Sequence, residues 1–362
     1  MSIVGRQKAQ LDTPALWVDL DLMEGNIHAL ARFFREAGVG WRPHTKGIKV
    51  PAIAHRLLAA GAIGVTCAKL SEAEVMASAG VKDILVANQV VGEAKVTRLA
   101  HLRRHADVMV AVDSLTNAQE ISAAAVDAGV VVRVLIEVNV GMDRCGVAPG
   151  APAVALARDV AALRGIDLAG LMGWEGHVVG IEDPEEKRRR CQEAVGALLR
   201  SVEMCRAAGF PAPIVSCGGS GTYAITARIK GVTEIQAGGA VFTDLSYRRW
   251  GVDLDCSLFI LATVVSRPAP TRAVVDAGRK AMSYGGILSQ PRDIPGARLV
   301  ELNAEHGILV LDGPEVPIQV GDKIDLVVGY GDNTVYLYDR LFGVRDGKVE
   351  VAWDIQARGK LT

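Results

Sequence analysis

The chain has 362 residues, half of them apolar, and a formal net charge of −1. That length exceeds one typical core and suggests a large barrel with an added domain, or two domains. The near-zero charge without a long basic run argues against a nucleic-acid or anionic-membrane surface. No apolar run reaches membrane-spanning length and the first residues lack a secretory stretch, so a cytoplasmic protein with a small-molecule partner is expected.

In chain order, a strand over 16–20 and a helix over 23–37 come first. From residue 40 onward, short β-branched runs alternate with helical patterns, which predicts eight strands at 40–44, 63–67, 83–87, 107–112, 131–138, 168–173, 213–217 and 233–237. The segments between them, such as 51–60, 72–80, 116–128 and 185–208, carry apolar residues at helical spacing and close near Gly61, Gly80, Gly129 and Gly209. Eight βα units favour an α/β fold built on a (β/α)8 TIM-type barrel over an open doubly wound sheet. The strand at 16–20 is then a lead-in or a link to the second domain. After about residue 250 the helical periods vanish, and strands are expected at 257–265, 272–276, 298–303, 308–311, 323–328, 334–338 and 348–354. This is a C-terminal antiparallel β domain. The expected division is 13–250 for the barrel, with 1–12 and 251–362 in the β domain.

Lys46 ends the run Arg42-Pro43-His44-Thr45-Lys46, directly after the first barrel strand. In such a barrel the C-terminal strand ends form the catalytic mouth, and a lysine there can form a Schiff base with an aldehyde cofactor or carbonyl substrate. The other strand ends bring Asn88, Asp113, Asn139 with Arg144, and Trp174 with Glu175 and His177 to the same mouth. Gly218-Gly219-Ser220-Gly221-Thr222 follows strand seven, and Gln236 with Gly238 and Gly239 follows strand eight. Glycines let backbone N–H groups approach a phosphate closely, and Ser220 and Thr222 add hydroxyl donors. A phosphate cradle opposite a reactive lysine suggests pyridoxal 5′-phosphate. The six cysteines (Cys67, Cys145, Cys191, Cys205, Cys217, Cys256) lack paired or metal-finger spacing and read as reduced, buried thiols.

Several stretches, in order along nearly the whole chain, resemble the D-threonine aldolase and D-serine dehydratase group, relatives of alanine racemase with fold type III of pyridoxal-phosphate enzymes. They include Asp12-Thr13-Pro14-Ala15, the run ending at Lys46, Lys69-Leu70-Ser71-Glu72-Ala73, Val140-Gly141-Met142-Asp143-Arg144-Cys145-Gly146, Gly218-Gly219-Ser220-Gly221, Glu234-Ile235-Gln236-Ala237-Gly238, Glu305-His306-Gly307 and Ala357-Arg358-Gly359. The resemblance implies that Lys46 bonds the cofactor aldehyde and that the two glycine segments hold its phosphate. It implies that Arg144 serves the pyridine phenolic oxygen and the substrate carboxylate, a task suited to a planar guanidinium that stays charged. His44 packs near the cofactor or is a structural histidine. A homodimer is also implied, in which the β domain of one subunit closes the barrel mouth of the other.

The chain departs from the family pattern at two places. Family members bind a divalent metal through a histidine and, two residues later, an aspartate or cysteine, and the pair positions the substrate β-hydroxyl. Here Gly329-Tyr330-Gly331-Asp332 puts tyrosine in the histidine's place. Any ion on Asp332 with oxygen neighbours is expected to be hard, Mg²⁺ or Mn²⁺, rather than zinc. The aldolases also place a base histidine where this chain has Glu175, which leaves Glu175 or His177 to accept the hydroxyl proton. The leading expectation is an aldolase-type lyase that cleaves Cα–Cβ of a β-hydroxy D-amino acid. The alternatives are dehydration to a keto acid and ammonia, racemisation with Tyr330 facing Lys46, and cofactor binding without turnover.

Overall fold

The computed structural model describes residues 3–284 and 286–362, which divide into two compact units. One unit contains 30–46, 51–238 and 360–362, and the other contains 3–29, 47–50 and 239–359. Each has its own sheet. The chain starts with β1 (Ala15–Asp19) and a helix over Leu20–Ala37. It continues through β2 (Gly40–Trp41), β3 (Val65–Cys67), β4 (Asp83–Gln89), β5 (Asp107–Val112), β6 (Val132–Glu137), β7 (Ile166–Met172), β8 (Ile214–Cys217) and β9 (Glu234–Ile235).

Strands β2 to β9 form one parallel sheet in the order β2-β9-β8-β7-β6-β5-β4-β3. A parallel bridge between His44 and Thr66 joins the chain after β2 to β3, and the eight strands close on themselves. All eight expected strands are present. The first is short because Pro43 has no N–H to offer the ladder, so pairing beyond Trp41 continues only through isolated bonds such as Arg42 N–H to Ile235 O. Leu85, Met109, Ala111, Leu135, Ala169 and Met172 pack together from four neighbouring strands. β5 is buried at all of Val108–Val112, which explains why its sequence is a continuous apolar run rather than an alternation. The intervening helices follow their caps. The Leu115–Ala128 helix begins where Ser114 Oγ accepts the Asn117 N–H and ends at Gly129 in the left-handed region.

The other unit adds β10 (Leu258–Ala269), β11 (Arg272–Val275), β12 (Gln290–Pro291), β13 (Ala297–Leu302), β14 (Gly307–Leu311), β15 (Lys323–Val327), β16 (Arg340–Arg345) and β17 (Lys348–Asp354). Its sheet runs β13-β14-β11-β10-β1-β16-β17, with β15 pairing β10 and β12. The strand expected at 16–20 is therefore no lead-in to the barrel. It lies in this second sheet, antiparallel to β10 and parallel to β16. The one parallel pair makes the sheet mostly, not wholly, antiparallel. Trp17 on β1 stacks on Phe259 at 4.6 Å between centroids, within a cluster that includes Leu11, Leu261, Val344 and Val349.

The strand expected over 334–338 does not form. The segment makes two 3₁₀ turns, Gly331–Asn333 and Val335–Leu337, and the strand comes later, at β16. Thr334 is the cause: its buried hydroxyl donates to Tyr330 O at 2.8 Å, four residues back, and accepts the Ser283 N–H at 3.2 Å. Such side-chain bonds offer the backbone an alternative to the ladder, whatever the β propensity of Thr-Val-Tyr-Leu-Tyr. Among the described residues no helix is long and apolar enough to cross a membrane.

Candidate active site

The segment after β2 is fixed before it reaches Lys46. Arg42 is buried, and its Nε lies 3.0 Å from both carboxylate oxygens of Glu234 on β9 while its Nη1 bonds Asp83 on β4. The two carboxylates push the guanidinium pKa up against the opposing effect of burial. Trp41 Nε1 donates to Ala237 O at 2.7 Å, and Thr45 Oγ1 donates to Thr66 O at 3.0 Å. These bonds hold both sides of the turn Thr45–Gly47, on which Lys46 is exposed. The Lys46 N–H points to His44 Nδ1 at 3.3 Å, so that nitrogen is the acceptor and the ring proton belongs on Nε2. His44 thus shapes the turn that carries the lysine.

After β6, the loop carrying Arg144 ties itself down. Asn139 Oδ1 accepts the N–H groups of Gly141 and Asp143, and Asp113 accepts the Gly146 N–H at 3.0 Å. Arg144 is half exposed, its Nη2 lying 3.7 Å from Glu137 Oε1, while Gln89 Nε2 donates to the other Glu137 oxygen at 2.6 Å. Burial pushes the Glu137 carboxyl up, and Gln89 and Arg144 pull it back. The exposed His177 ring lies over Gly141, whose Cβ, were one present, would sit 3.0 Å from Nε2. His177 and the Arg144 loop are therefore brought together.

Glu175 has a different setting from the one its neighbour suggests. It has no exposure, and its carboxylate accepts three bonds: Gly218 N–H at 3.2 Å, Thr222 Oγ1 at 2.8 Å and Thr226 Oγ1 at 2.8 Å. Every donor comes from the segment that follows β8. The carboxylate is the internal support of the glycine loop, and its donors surround the oxygens that a general base would need free.

The loop itself offers donors. Neither the Gly221 nor the buried Gly238 N–H has an acceptor among the described residues. The two loops follow adjacent strands, and Gln236 Nε2 donates across to Ser216 Oγ at 2.9 Å. Gly238 is also required for space, because a Cβ there would lie 1.9 Å from His44 O. Gly239 begins a 3₁₀ turn in the other unit, where Tyr247 fills the space beside it.

Tyr330 and Asp332 belong to that other unit. Tyr330 Oη donates to Asp332 Oδ2 at 3.1 Å, and Tyr247 Oη donates to Asp332 Oδ1 at 3.2 Å. Trp250 packs edge-on against both tyrosine rings, with centroids 5.3 and 5.7 Å away. Burial first, and Asp332 second, push both phenol pKa values up, so both stay protonated. Tyr247 went unnoticed in the sequence because nothing in Leu-Ser-Tyr-Arg-Arg marks it. Only the fold puts its hydroxyl on Asp332.

Beneath this cluster, Asp244 caps that helix through Oδ1 and accepts the Gly331 N–H on Oδ2 at 2.6 Å. Burial pushes its carboxyl up to about 7. Its folded value then exceeds the unfolded carboxylate value of about 4, so its contribution to stability is complete below pH 4 and is lost as pH rises through about 7. Thermal stability is expected to fall from pH 5 to pH 8. In Asp244→Asn that slope should flatten, even though the amide serves Gly331 less well and lowers stability throughout. An unchanged slope would remove Asp244 as its source.

None of the six cysteines is in a disulfide. Burial raises the thiol pKa of Cys217, and that of Cys191 to about 12, which suits inert packing groups.

A closed parallel barrel with a lysine directly after its first strand and glycine loops after its last two is the arrangement of alanine racemase-like, fold type III proteins. The chain belongs to the D-threonine aldolase and D-serine dehydratase-like family within that class. The family model "Alanine racemase, N-terminal domain" matches residues 18–246, and "Putative serine dehydratase domain" matches 257–344. A D-threonine aldolase of Arthrobacter sp. is 38% identical over 98% of this chain and 95% of its own. A 3-hydroxy-D-aspartate aldolase of Paracoccus denitrificans (strain Pd 1222) is 33% identical over 99% of this chain and 95% of its own. The crystal structure of D-threonine aldolase from Filomicrobium marinum superposes with a TM-score of 0.97 at 37% identity, covering 100% of each chain.

The family uses pyridoxal 5′-phosphate, and the residues fit it. An exposed lysine stands on a braced turn, and two adjacent loops carry glycine N–H donors without protein acceptors. The metal that the sequence resemblance implies fits less well. Among the described residues no group of three or more His, Cys, Asp or Glu side chains could hold an ion, and both Asp332 oxygens accept from phenols.

Proposed function

We propose that this protein is a pyridoxal-phosphate-dependent lyase of the D-threonine aldolase type, which cleaves a β-hydroxy D-amino acid into an aldehyde and glycine. The single observation that carries the reading is Lys46 on its braced turn, in a chain that aligns end to end with two aldolases. Lys46 is proposed to bond the cofactor aldehyde, with His44 shaping its turn. Gly218, Gly219, Ser220, Gly221, Thr222, Gln236, Gly238 and Gly239 are proposed to hold the phosphate end. When bound, pyridoxal phosphate supplies an electron sink for the pair left on Cα.

Arg144 is proposed to bind the substrate carboxylate, held in place by Glu137. His177 is proposed to take the β-hydroxyl proton. The oxygen's electrons then form the aldehyde C=O as Cα–Cβ breaks, and Cα takes up a proton to give glycine. Between the two candidate bases, His177 is favoured because its ring is exposed beside the Arg144 loop, whereas Glu175 is enclosed by its three donors. An imidazole also exchanges protons readily near neutrality. The unit that holds the parallel sheet is proposed as the cofactor domain and the other unit, which also takes 13–29 and 239–250, as the β domain of a homodimer. Six cysteines outside any disulfide suit the cytoplasm.

The test is product analysis after incubation with a panel of D-β-hydroxy amino acids, for the native chain and for His177→Asn. The expected products are aldehyde plus glycine, with kcat reduced about 10²-fold or more in the variant. A keto acid with ammonia, or an inverted amino acid, would replace this reading with dehydration or racemisation.

A further inference from the structure

In this chain two phenols donate to Asp332. By the sequence resemblance, Tyr330 stands where the family carries a metal-binding histidine, and its hydroxyl donates to one Asp332 oxygen while Tyr247 donates to the other. A neutral phenol is a poor ligand for a divalent ion, and here each phenol directs its proton at the carboxylate that would otherwise meet the ion. Both tyrosine rings are themselves packed, and the turn at Gly47 comes close to Asp332. Trp250 packs on both tyrosine rings, and Asp332 Oδ1 would lie 2.2 Å from a Cβ on Gly47, the residue following Lys46 in the chain. Among the described residues Asp332 belongs to no group of three or more His, Cys, Asp or Glu side chains that could hold an ion.

We infer that the Tyr247–Asp332–Tyr330 cluster is a hydrogen-bonded replacement for the family's metal centre, and that this chain works without a divalent cation at Asp332. Two phenol-to-carboxylate bonds satisfy the carboxylate that a cation satisfies in relatives. The cluster also fixes Tyr330, the side chain in the missing ligand's position, so orientation of the substrate hydroxyl falls to side chains and not to an ion. That last consequence rests on the lyase reading above. The cation-free cluster does not, since it concerns only what Asp332 binds.

The test uses the native holoenzyme first. After dialysis against a chelator, activity on the substrate found in the product panel is expected to stay within about twofold of the untreated enzyme, against the tenfold or larger loss typical when a metal site is damaged. In Mn²⁺ titrations followed by electron paramagnetic resonance, no binding that depends on Asp332 is expected: any signal loss should be the same in Asp332→Asn. Tyr330→His restores the family's ligand pair, and should bind Mn²⁺ at least about tenfold more tightly than the native chain. Native Mn²⁺ binding that disappears in Asp332→Asn would overturn the inference, as would chelator inactivation reversed by added Mn²⁺, Mg²⁺ or Zn²⁺. The spectroscopic measurements need no turnover, so a failed product panel would remove the lyase reading and leave this result standing.

Discussion

Replacing Lys46 by alanine is expected to abolish the visible absorption band of the holoenzyme and to lower kcat on the order of 10³-fold or more, because no other amine stands on the braced turn after β2. Stability should hardly change. The Lys46 side chain is exposed, and truncation of a surface side chain moves stability by about 0.5 kcal/mol or less. The turn survives, since Arg42, Trp41 and Thr45 anchor it and the bond from residue 46 to His44 Nδ1 uses the backbone N–H. The measurement is an absorption spectrum with pyridoxal phosphate in excess, borohydride trapping and a thermal melt. A trapped adduct of unchanged yield in Lys46→Ala would place the reactive amine elsewhere.

The second large effect belongs to Glu175, and it separates a structural role from a catalytic one. Glu175→Ala leaves the Gly218 N–H and the hydroxyls of Thr222 and Thr226 without their acceptor in a site with no exposure. The hydroxyls can turn to nearby carbonyls, as Thr222 already does toward Gly219 O at 3.4 Å, but the N–H cannot. A loss of about 3 kcal/mol in stability is expected, with cofactor affinity about tenfold weaker as the loop loosens. Glu175→Gln should be milder in both respects, because one oxygen remains and the amide can donate to a threonine that turns. If Glu175 were the proton acceptor instead, Glu175→Gln would remove turnover while leaving the melting temperature and cofactor affinity intact. Measuring all three quantities on both variants decides the matter.

Much of this protein is determined by sequence alone, wherever the determinant is local. The eight barrel strands are set by short apolar runs between glycine-closed helices, and each appears in the structure within a few residues of its expected place. The position of Lys46 follows from the strand that precedes its turn. The glycine loops are legible because close backbone approach, as at Gly238 against His44 O, admits no other residue. The replacement of histidine by Tyr330 is equally visible, being a matter of residue type in a recognisable string.

Tertiary structure alone decides what depends on partners distant in sequence. β1 reads as any buried strand, and only its pairing with β10 and β16, 240 or more residues away, assigns it to the second sheet. The segment 334–338 has the propensity of a strand but makes 3₁₀ turns, because Thr334 finds both Tyr330 O and the Ser283 N–H. Glu175 resembles a base until its three donors from the segment after β8 are in place around it. Asp332 likewise resembles a metal ligand until Tyr247, 85 residues earlier, reaches its second oxygen. A hydrogen bond requires two groups within about 3 Å in a fixed orientation, and sequence spacing carries that information only for neighbours along one helix, strand or turn.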